Sequence, residues 1–238
     1  MSSSITFDAV RVLAGERELL AVPSLTLEER RISVIGPNGG GKSTLLQLID
    51  GLVEPTEGYV GVHGLDTIED GREVRRRVGF VFSNPAAQLV MPTPQEDVEL
   101  SLQRTVKDRS ARRRRAAACL EELGIAELAV RSSHELSGGQ QQLVALATVL
   151  VLEPEVLVLD EPTTLLDLVN AQRFSRIVQS LAREKGIRII TATHDLELAA
   201  DADRCLLVER GGIRADGAPA GVIAQYRELS ARRAQEHA

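Results

Sequence analysis

The sequence predicts an α/β fold with a mainly parallel sheet and an inserted α-helical lobe, and three observations carry that prediction. The strand-like run Arg31-Ile32-Ser33-Val34-Ile35 passes into a glycine-rich turn and then a helical run over 44–49, closed by Gly51. Farther on, the apolar run Glu155-Val156-Leu157-Val158-Leu159, a helical stretch over about 168–185 and the run Ile187-Arg188-Ile189-Ile190-Thr191 follow one another. Strands that alternate with helices imply a largely parallel sheet, and a continuous apolar strand implies burial on both faces. Residues 83–150, by contrast, read mainly as helix.

The 238 residues are read as one domain, with an α/β core over 1–82 and 151–238 and a helical lobe over 83–150. Residues 5–35 alternate short apolar runs with polar turns, the pattern of β-strands. Val78-Gly79-Phe80-Val81-Phe82 is a further short strand. In Pro94-Gln95-Glu96-Asp97-Val98 acids fall in the first turn of a helix, and helical pattern continues to about Arg131. The last twenty residues, rich in Ala, Arg and Glu, read as a short terminal helix.

Composition excludes several classes of function. With 28 basic and 34 acidic residues the net charge is −6, which argues against a nucleic-acid partner. The chain has no Trp and only 3% aromatic residues, so base-stacking platforms are hard to build. Cys119 and Cys205 are isolated and form no ligand spacing, which fits reduced thiols in a cytosolic protein. Met1-Ser2-Ser3-Ser4 leads straight into strand-like sequence, so no secretory or transit segment is expected. The longest strongly apolar stretch, 143–152, is far short of the ~20 residues that span a bilayer, so any crossing is expected of another chain. The run Arg112-Arg113-Arg114-Arg115 spreads around a helix axis and reads as a solvated face.

The chemistry concentrates in three places. Gly36-Pro37-Asn38-Gly39-Gly40-Gly41-Lys42-Ser43, set between strand and helix, matches a phosphate-binding loop. Its glycines let backbone N–H groups turn toward phosphates, the helix adds its positive N-terminal end, Lys42 supplies a full charge and the Ser43 hydroxyl can ligate Mg²⁺. Asn38, Gly39, Gly40, Gly41, Lys42, Ser43 and Thr44 are therefore the first candidate set. Asp160 ends a buried strand, where a carboxylate is costly unless it meets a cation such as Mg²⁺. Glu161, next to it, is placed to take a proton from an attacking water. Third, Leu136-Ser137-Gly138-Gly139-Gln140 reads as the start of a helix, whose hydroxyl and N–H groups offer a second phosphate cradle. Lys42 already serves the chain's own nucleotide, so the second cradle calls for another, and head-to-tail pairing of two copies satisfies both.

The phosphate loop, the LSGGQ sequence about twenty residues before the acidic strand, and the following Asp160-Glu161-Pro162-Thr163 resemble, in this order, the nucleotide-binding subunits of ABC transporters. The resemblance covers nearly the whole chain. It implies a P-loop NTPase core with mainly parallel sheet, an N-terminal antiparallel β-subdomain and the inserted helical lobe, with ATP and Mg²⁺ as ligands. It further implies that Ser137, Gly138, Gly139 and Gln140 face the nucleotide of a neighbouring copy. His194 stands where the family has its switch histidine, which contacts the γ-phosphate and positions Glu161 and the water. Asp167 matches the aspartate that communicates across the dimer. A narrower resemblance is to the ATPases of energy-coupling-factor importers. Ser83-Asn84-Pro85-Ala86-Ala87-Gln88-Leu89, Met91-Pro92-Thr93 and Glu96-Asp97-Val98 look like that group's Q-loop segment. Glu29-Arg30-Arg31-Ile32, the Ser83-Asn84-Pro85 sequence and the run from Asp160 to Leu168 look most like the biotin importer's ATPase. Such resemblance implies a homodimer mate, a transmembrane coupling protein and a substrate-binding membrane protein, with the chain peripheral on the cytoplasmic face of the membrane. Cobalt or nickel import is the alternative; action on DNA or ribosomes is a remote one.

Three departures stand out. Ser83 occupies the position of the Q-loop glutamine, so its shorter hydroxyl needs a bridging water, or Gln88 must substitute. No tyrosine stands where the adenine is usually stacked; Val12 or Leu13 is left to make an apolar contact, with weaker base selectivity expected. Gln140-Gln141-Gln142-Leu143 lacks the arginine often found after the signature.

Overall fold

The computed structural model describes residues 4–236; the opening residues 1–3 lie outside it. In chain order the elements are β1 (Ile5–Ala14), β2 (Arg17–Leu27), β3 (Arg31–Ile35), α1 (Lys42–Ile49), β4 (Glu57–Val62), β5 (Leu65–Asp66), α2 (Gly71–Arg77) and β6 (Val78–Val81). There follow α3 (Pro94–Leu102), α4 (Arg109–Glu122), α5 (Gly138–Leu150), β7 (Val156–Asp160) and α6 (Leu168–Glu184). The chain closes with β8 (Arg188–Ala192), α7 (Leu196–Ala200), β9 (Arg204–Glu209), β10 (Gly212–Gly217) and α8 (Pro219–Glu236). By compactness it falls into two units, Met1–Val78 with Arg188–Ala238, and Gly79–Ile187. The division expected from the sequence, at 82/83 and 150/151, follows element type instead and stays a proposal about the lobe.

In the first unit, β1 pairs antiparallel with β2 and β4, giving a sheet of order β2-β1-β4-β5. A separate set is parallel: β3 lies between β8 and β9, both parallel to it, and β10 turns back antiparallel on β9. Ile32, Val34 and Ile35 of β3 are wholly buried, as a strand covered on both faces requires. Leu45, Leu46, Leu48 and Ile49 carry the burial of α1, which ends at Asp50 before Gly51 (φ 66°) turns the chain. Ile35, Cys205 and Leu207 pack with Val222 and Ile223 of α8, which begins at Pro219, the first of the last twenty residues, so the terminal helix starts where the sequence places it and is seated on β9. Charged ties fix the turn before β3. The Arg204 guanidinium donates twice to Asp216 (2.7 and 2.6 Å), to Glu29 (3.1 Å) and to the Thr26 carbonyl (2.8 Å). Arg31 donates to Asp203, and Arg188 to the Glu28 and Glu29 carbonyls.

The second unit is built around α5. Its residues Leu143 to Leu150 are all buried, so the apolar stretch noticed in the sequence is a core helix. Among the described residues no helix is long and apolar enough to cross a membrane. Strands β6 and β7 are neighbours, and a Cβ on Gly79 of β6 would sit 2.1 Å from Val149 of α5, which explains the glycine there. In α6 Phe174, Val178 and Leu181 form the buried stripe at helical spacing. The arginine run on α4 is only partly a solvated face. Arg112 donates to the Val106 and Lys107 carbonyls (2.9 and 3.0 Å), and Arg115 donates to the Val151 carbonyl just past α5 (3.2 Å) and to Glu153 (2.8 Å). Carbonyls at turns and helix ends lack partners of their own, and long guanidinium stems reach them.

Candidate nucleotide site

The first unit holds the phosphate loop between β3 and α1. Gly36 must be glycine because β9 passes close: a Cβ there would lie 2.0 Å from the Val208 carbonyl oxygen. Gly41 enters α1 at φ 109°, a conformation that side chains rarely adopt. Helix α1 therefore starts with no side-chain cap and no acid in its first turn, an arrangement that leaves its positive end for an anion. Lys42 is 6% exposed, and its Nζ donates to the Gly36 and Pro37 carbonyls at 3.0 and 3.4 Å. The ammonium is thus folded back across the loop it belongs to, bonded to carbonyls that a phosphate oxygen could replace. Asn38, Gly39 and Ser43 are exposed, and Thr44 is half-buried. A loop of amides with one buried lysine at the start of an uncapped helix fits a nucleotide phosphate chain. The other side of the loop borders a cavity of about 380 Å³ lined by Pro37 to Gly40, Glu209, Arg210 and Arg233, where Arg233 pairs with Glu209; Lys42, Ser43 and Thr44 do not line it.

His194 follows β8 and is exposed. Its neighbours fix its place. Thr193 is fully buried and donates its N–H to the Val34 carbonyl (3.0 Å). The Thr193 hydroxyl accepts from Asp195 N–H (3.0 Å), and the Asp195 carboxylate caps α7. Of the two residues expected to meet the adenine, Val12 is turned inward. Leu13, after a register shift in β1, keeps accessible surface while its N–H is held by the Thr56 hydroxyl (3.0 Å).

The second unit holds the acidic strand and the signature. Every residue of β7 is buried down to Asp160, 6% exposed. Glu161, immediately after it, has φ +50°. A β-carbon residue in that region is uncommon and costs energy, and such outliers cluster at functional sites. Thr164 Oγ1 lies 3.5 Å from its Oε2 as donor. At the start of α5, Ser137 and Gln140 form a capping box. The Ser137 hydroxyl accepts from Gln140 N–H (3.3 Å) and Gln140 Oε1 accepts from Ser137 N–H (3.0 Å). Gln140 is thereby spent on shaping the helix start, while the Gly138 and Gly139 N–H groups have no partner among the described residues. Asp167 caps α6 through Asn170 N–H (2.8 Å) and also accepts from the Asn170 side chain (2.9 Å). Ser83 is exposed just after β6. Gln88 is occupied: its Oε1 accepts from Phe82 N–H (3.3 Å), and its Nε2 donates to the Ala145 carbonyl and the Thr148 hydroxyl, both at 3.2 Å.

Sequence reading missed Gln88's tie to α5, the role of Asp97 and the place of Asn170. Asp97 is 2% exposed, and its Oδ1 accepts from both Val90 and Met91 N–H at 2.9 Å. The signals were present: an acid in an otherwise apolar helix face, and an Asn three residues after a capping Asp.

The fold and these two sets of residues define a P-loop ATPase with a signature helix. The ABC transporter family model matches residues 21–164, and the chain belongs to that family of ATP-binding, ATP-hydrolysing subunits. An ABC transporter ATP-binding protein of Deinococcus radiodurans is 45% identical over 213 residues, covering 90% of this chain and 92% of its own. The biotin transport ATP-binding protein BioM of Rhizobium etli is 40% identical over 228 residues, covering 96% and 100%. Among solved structures, cbiO1 of Clostridium perfringens, part of the ABC transporter complex cbiONQ, superimposes with a TM-score of 0.83 at 29% identity over 96% of this chain and 94% of its own. A dimeric ATP-binding cassette in a post-hydrolysis state with ADP and Pi gives a TM-score of 0.81 at 30% identity, covering 90% and 98%.

Proposed function

We propose that this chain is the ATP-hydrolysing subunit of an energy-coupling-factor importer, that it works as a homodimer on the cytoplasmic face of the membrane, and that its cargo is biotin. The observation that carries the hydrolytic part is Glu161, held in a strained conformation directly after the buried Asp160. Lys42 and the amides of residues 38–44 bind the phosphates. Ser43 and Asp160 supply hard oxygen donors of the kind Mg²⁺ takes, and the ion when bound offsets phosphate charge. Glu161 accepts the proton of the attacking water, a role worth typically ~10²–10⁴ in rate. His194 orients the γ-phosphate and the water, with Ser83 acting through a further water because Gln88 is held by α5. Ser137, Gly138 and Gly139 bind the nucleotide of the second copy, and Asp167 signals across the pair.

The cargo rests on the full-length likeness to the biotin-transport relative, and no residue of an ATPase subunit need touch the cargo. Uptake of labelled biotin by cells lacking the chain tests both parts. Native protein should restore uptake and Glu161→Gln should not. Equal biotin uptake with and without the chain, alongside chain-dependent uptake of cobalt or nickel, moves the cargo to metal ions.

The membrane partner is proposed to dock on the segment from Ser83 to Pro94. Asp97 fixes its backbone, leaving Val90 69% exposed and Leu89 and Met91 half-buried. Leu89→Asp or Met91→Asp should release the chain from membranes in a flotation assay. Unchanged association would place the docking surface elsewhere.

A further inference from the structure

The signature glycines are not explained by backbone conformation. Gly138 and Gly139 are the first two residues of α5, and neither has a positive φ. What demands glycine is the close approach of the segment after Glu161. A Cβ on Gly138 would lie 3.2 Å from the Leu165 carbonyl oxygen. A Cβ on Gly139 would lie 2.8 Å from Cγ, 3.0 Å from Cβ and 3.2 Å from Nδ2 of Asn170. Contacts under 3.0 Å are ones a real Cβ does not make, so the Asn170 side chain fills the space that any larger residue at 139 needs. The same side chain faces the other way as well. Asn170 Nδ2 donates to Asp167 Oδ2 at 2.9 Å, and Asn170 N–H donates to Asp167 Oδ1 at 2.8 Å. One half-buried residue therefore touches the signature helix start with its flank and holds both oxygens of Asp167.

We propose that Asn170 is a positioning residue for ATP hydrolysis: it couples Asp167 to the signature glycines, so that residues 165–170 and the start of α5 move as one piece when nucleotide is engaged. The inference rests on the reading that Gly138, Gly139 and Asp167 act at the nucleotide of a second copy. Asn170 does not touch nucleotide in this scheme. Its loss should leave substrate binding alone and lower the rate at which the closed pair turns over, because misplacement by about an ångström far from the reacting atoms can cost ~10²-fold.

The test is steady-state ATPase activity with separate kcat and KM, plus binding of a fluorescent ATP analogue. The proteins are the native chain, Asn170→Ala, Asn170→Gly, Gly139→Ala and the pair Gly139→Ala/Asn170→Gly, with Glu161→Gln as control. Asn170→Ala should lower kcat about tenfold with KM and analogue affinity within about twofold of native, the pattern of an interaction that acts after binding. Gly139→Ala should lower kcat further, and adding Asn170→Gly should raise it again, since the wedge that the new methyl strikes is gone. Native kcat in Asn170→Ala, or a double variant no better than Gly139→Ala, overturns the coupling. A matched loss of analogue affinity in Asn170→Ala overturns it too, by showing a role in binding or folding. Should Glu161→Gln hydrolyse ATP like the native chain, the catalytic reading fails separately, while the comparison of Gly139 and Asn170 variants still decides the coupling.

Discussion

Several side chains that look chemical in the sequence turn out to be held by ordinary structural bonds, and a few unremarked ones are under electrostatic stress. Gln88 is an amide near a position where the family has glutamine, yet its side chain is tied to Phe82, just after β6, and to Ala145 and Thr148 of α5, all in its own unit. Cys119 and Cys205 are free thiols, pushed by burial up to about 11 and about 12, values that make them inert rather than nucleophilic. Asp50 is the stressed case. It caps the C-terminal end of α1, is 6% exposed, and its Oδ1 has no hydrogen-bond partner. Burial raises its carboxyl to about 7 against the partial pull of Arg75. A carboxyl whose folded pKa lies above its unfolded value binds the proton more tightly when folded. Its stabilising contribution is thus complete below the ordinary carboxylate range and is lost as pH rises through about 7. Asp50→Asn cannot ionise and should not follow that slope. Denaturant titrations from pH 4 to pH 8 should show the variant gaining on the native chain by a few kcal/mol across the window, on the order of 1.4 kcal/mol per tenfold change in proton affinity. Parallel curves would show that Asp50 reaches water or a partner.

Helix starts tie the candidate residues to the fold. Ser137 caps α5, Asp167 caps α6, and Asp195, next to His194, caps α7. Each cap uses a side-chain oxygen to satisfy a first-turn N–H, so the same turn that ends a loop also aims its neighbours. This is why so much was legible. The Lys42, Ser137 and Asp160 turns each follow local rules: glycine loop to helix, capping pair three apart, acid at the end of an apolar strand. What was not legible depends on contacts far apart in sequence. The need for glycine at 79 and 139 comes from Val149 and Asn170 respectively, and the partly structural use of the α4 arginines from the Val106 and Val151 carbonyls. The shift in β1 that separates Val12 from Leu13 comes from strand pairing, which no local pattern announces. Ser137→Ala tests the double use of a cap. It removes the acceptor for Gln140 N–H and should cost about 1 kcal/mol, with a drop of roughly 2–4 °C in Tm for a chain of this size. ATPase activity should fall with it, whereas Ser137→Thr keeps the cap and should recover the Tm. A native Tm in Ser137→Ala would show that Gln140 closes the box without the hydroxyl.

At the scale of the whole molecule, the phosphate loop lies in one compact unit and the signature in the other, and the proposed dimer sets each loop against the signature of the second copy. That arrangement makes a prediction that no single-chain mechanism shares. Lys42→Ala destroys a chain's own phosphate loop but leaves its signature; Ser137→Arg blocks the signature but leaves the loop. Each variant alone forms only sites with one bad half. Mixed under conditions where subunits exchange, half of the pairs contain one chain of each kind, and each such pair has one intact site and one doubly defective site. Activity in the mixture should therefore rise to about one quarter of native, from two inactive parents, if a single good site can turn over. The measurement is ATPase rate against mixing ratio, and the expected curve peaks at equal amounts of the two chains. A flat line at the parental rates, with both variants shown to fold and to exchange, would mean either that the signature serves its own chain's nucleotide or that both sites must hydrolyse together. Native chain titrated with Ser137→Arg separates these two. Loss in proportion to the native chain consumed in mixed pairs requires both sites, and no loss at all returns the signature to its own chain.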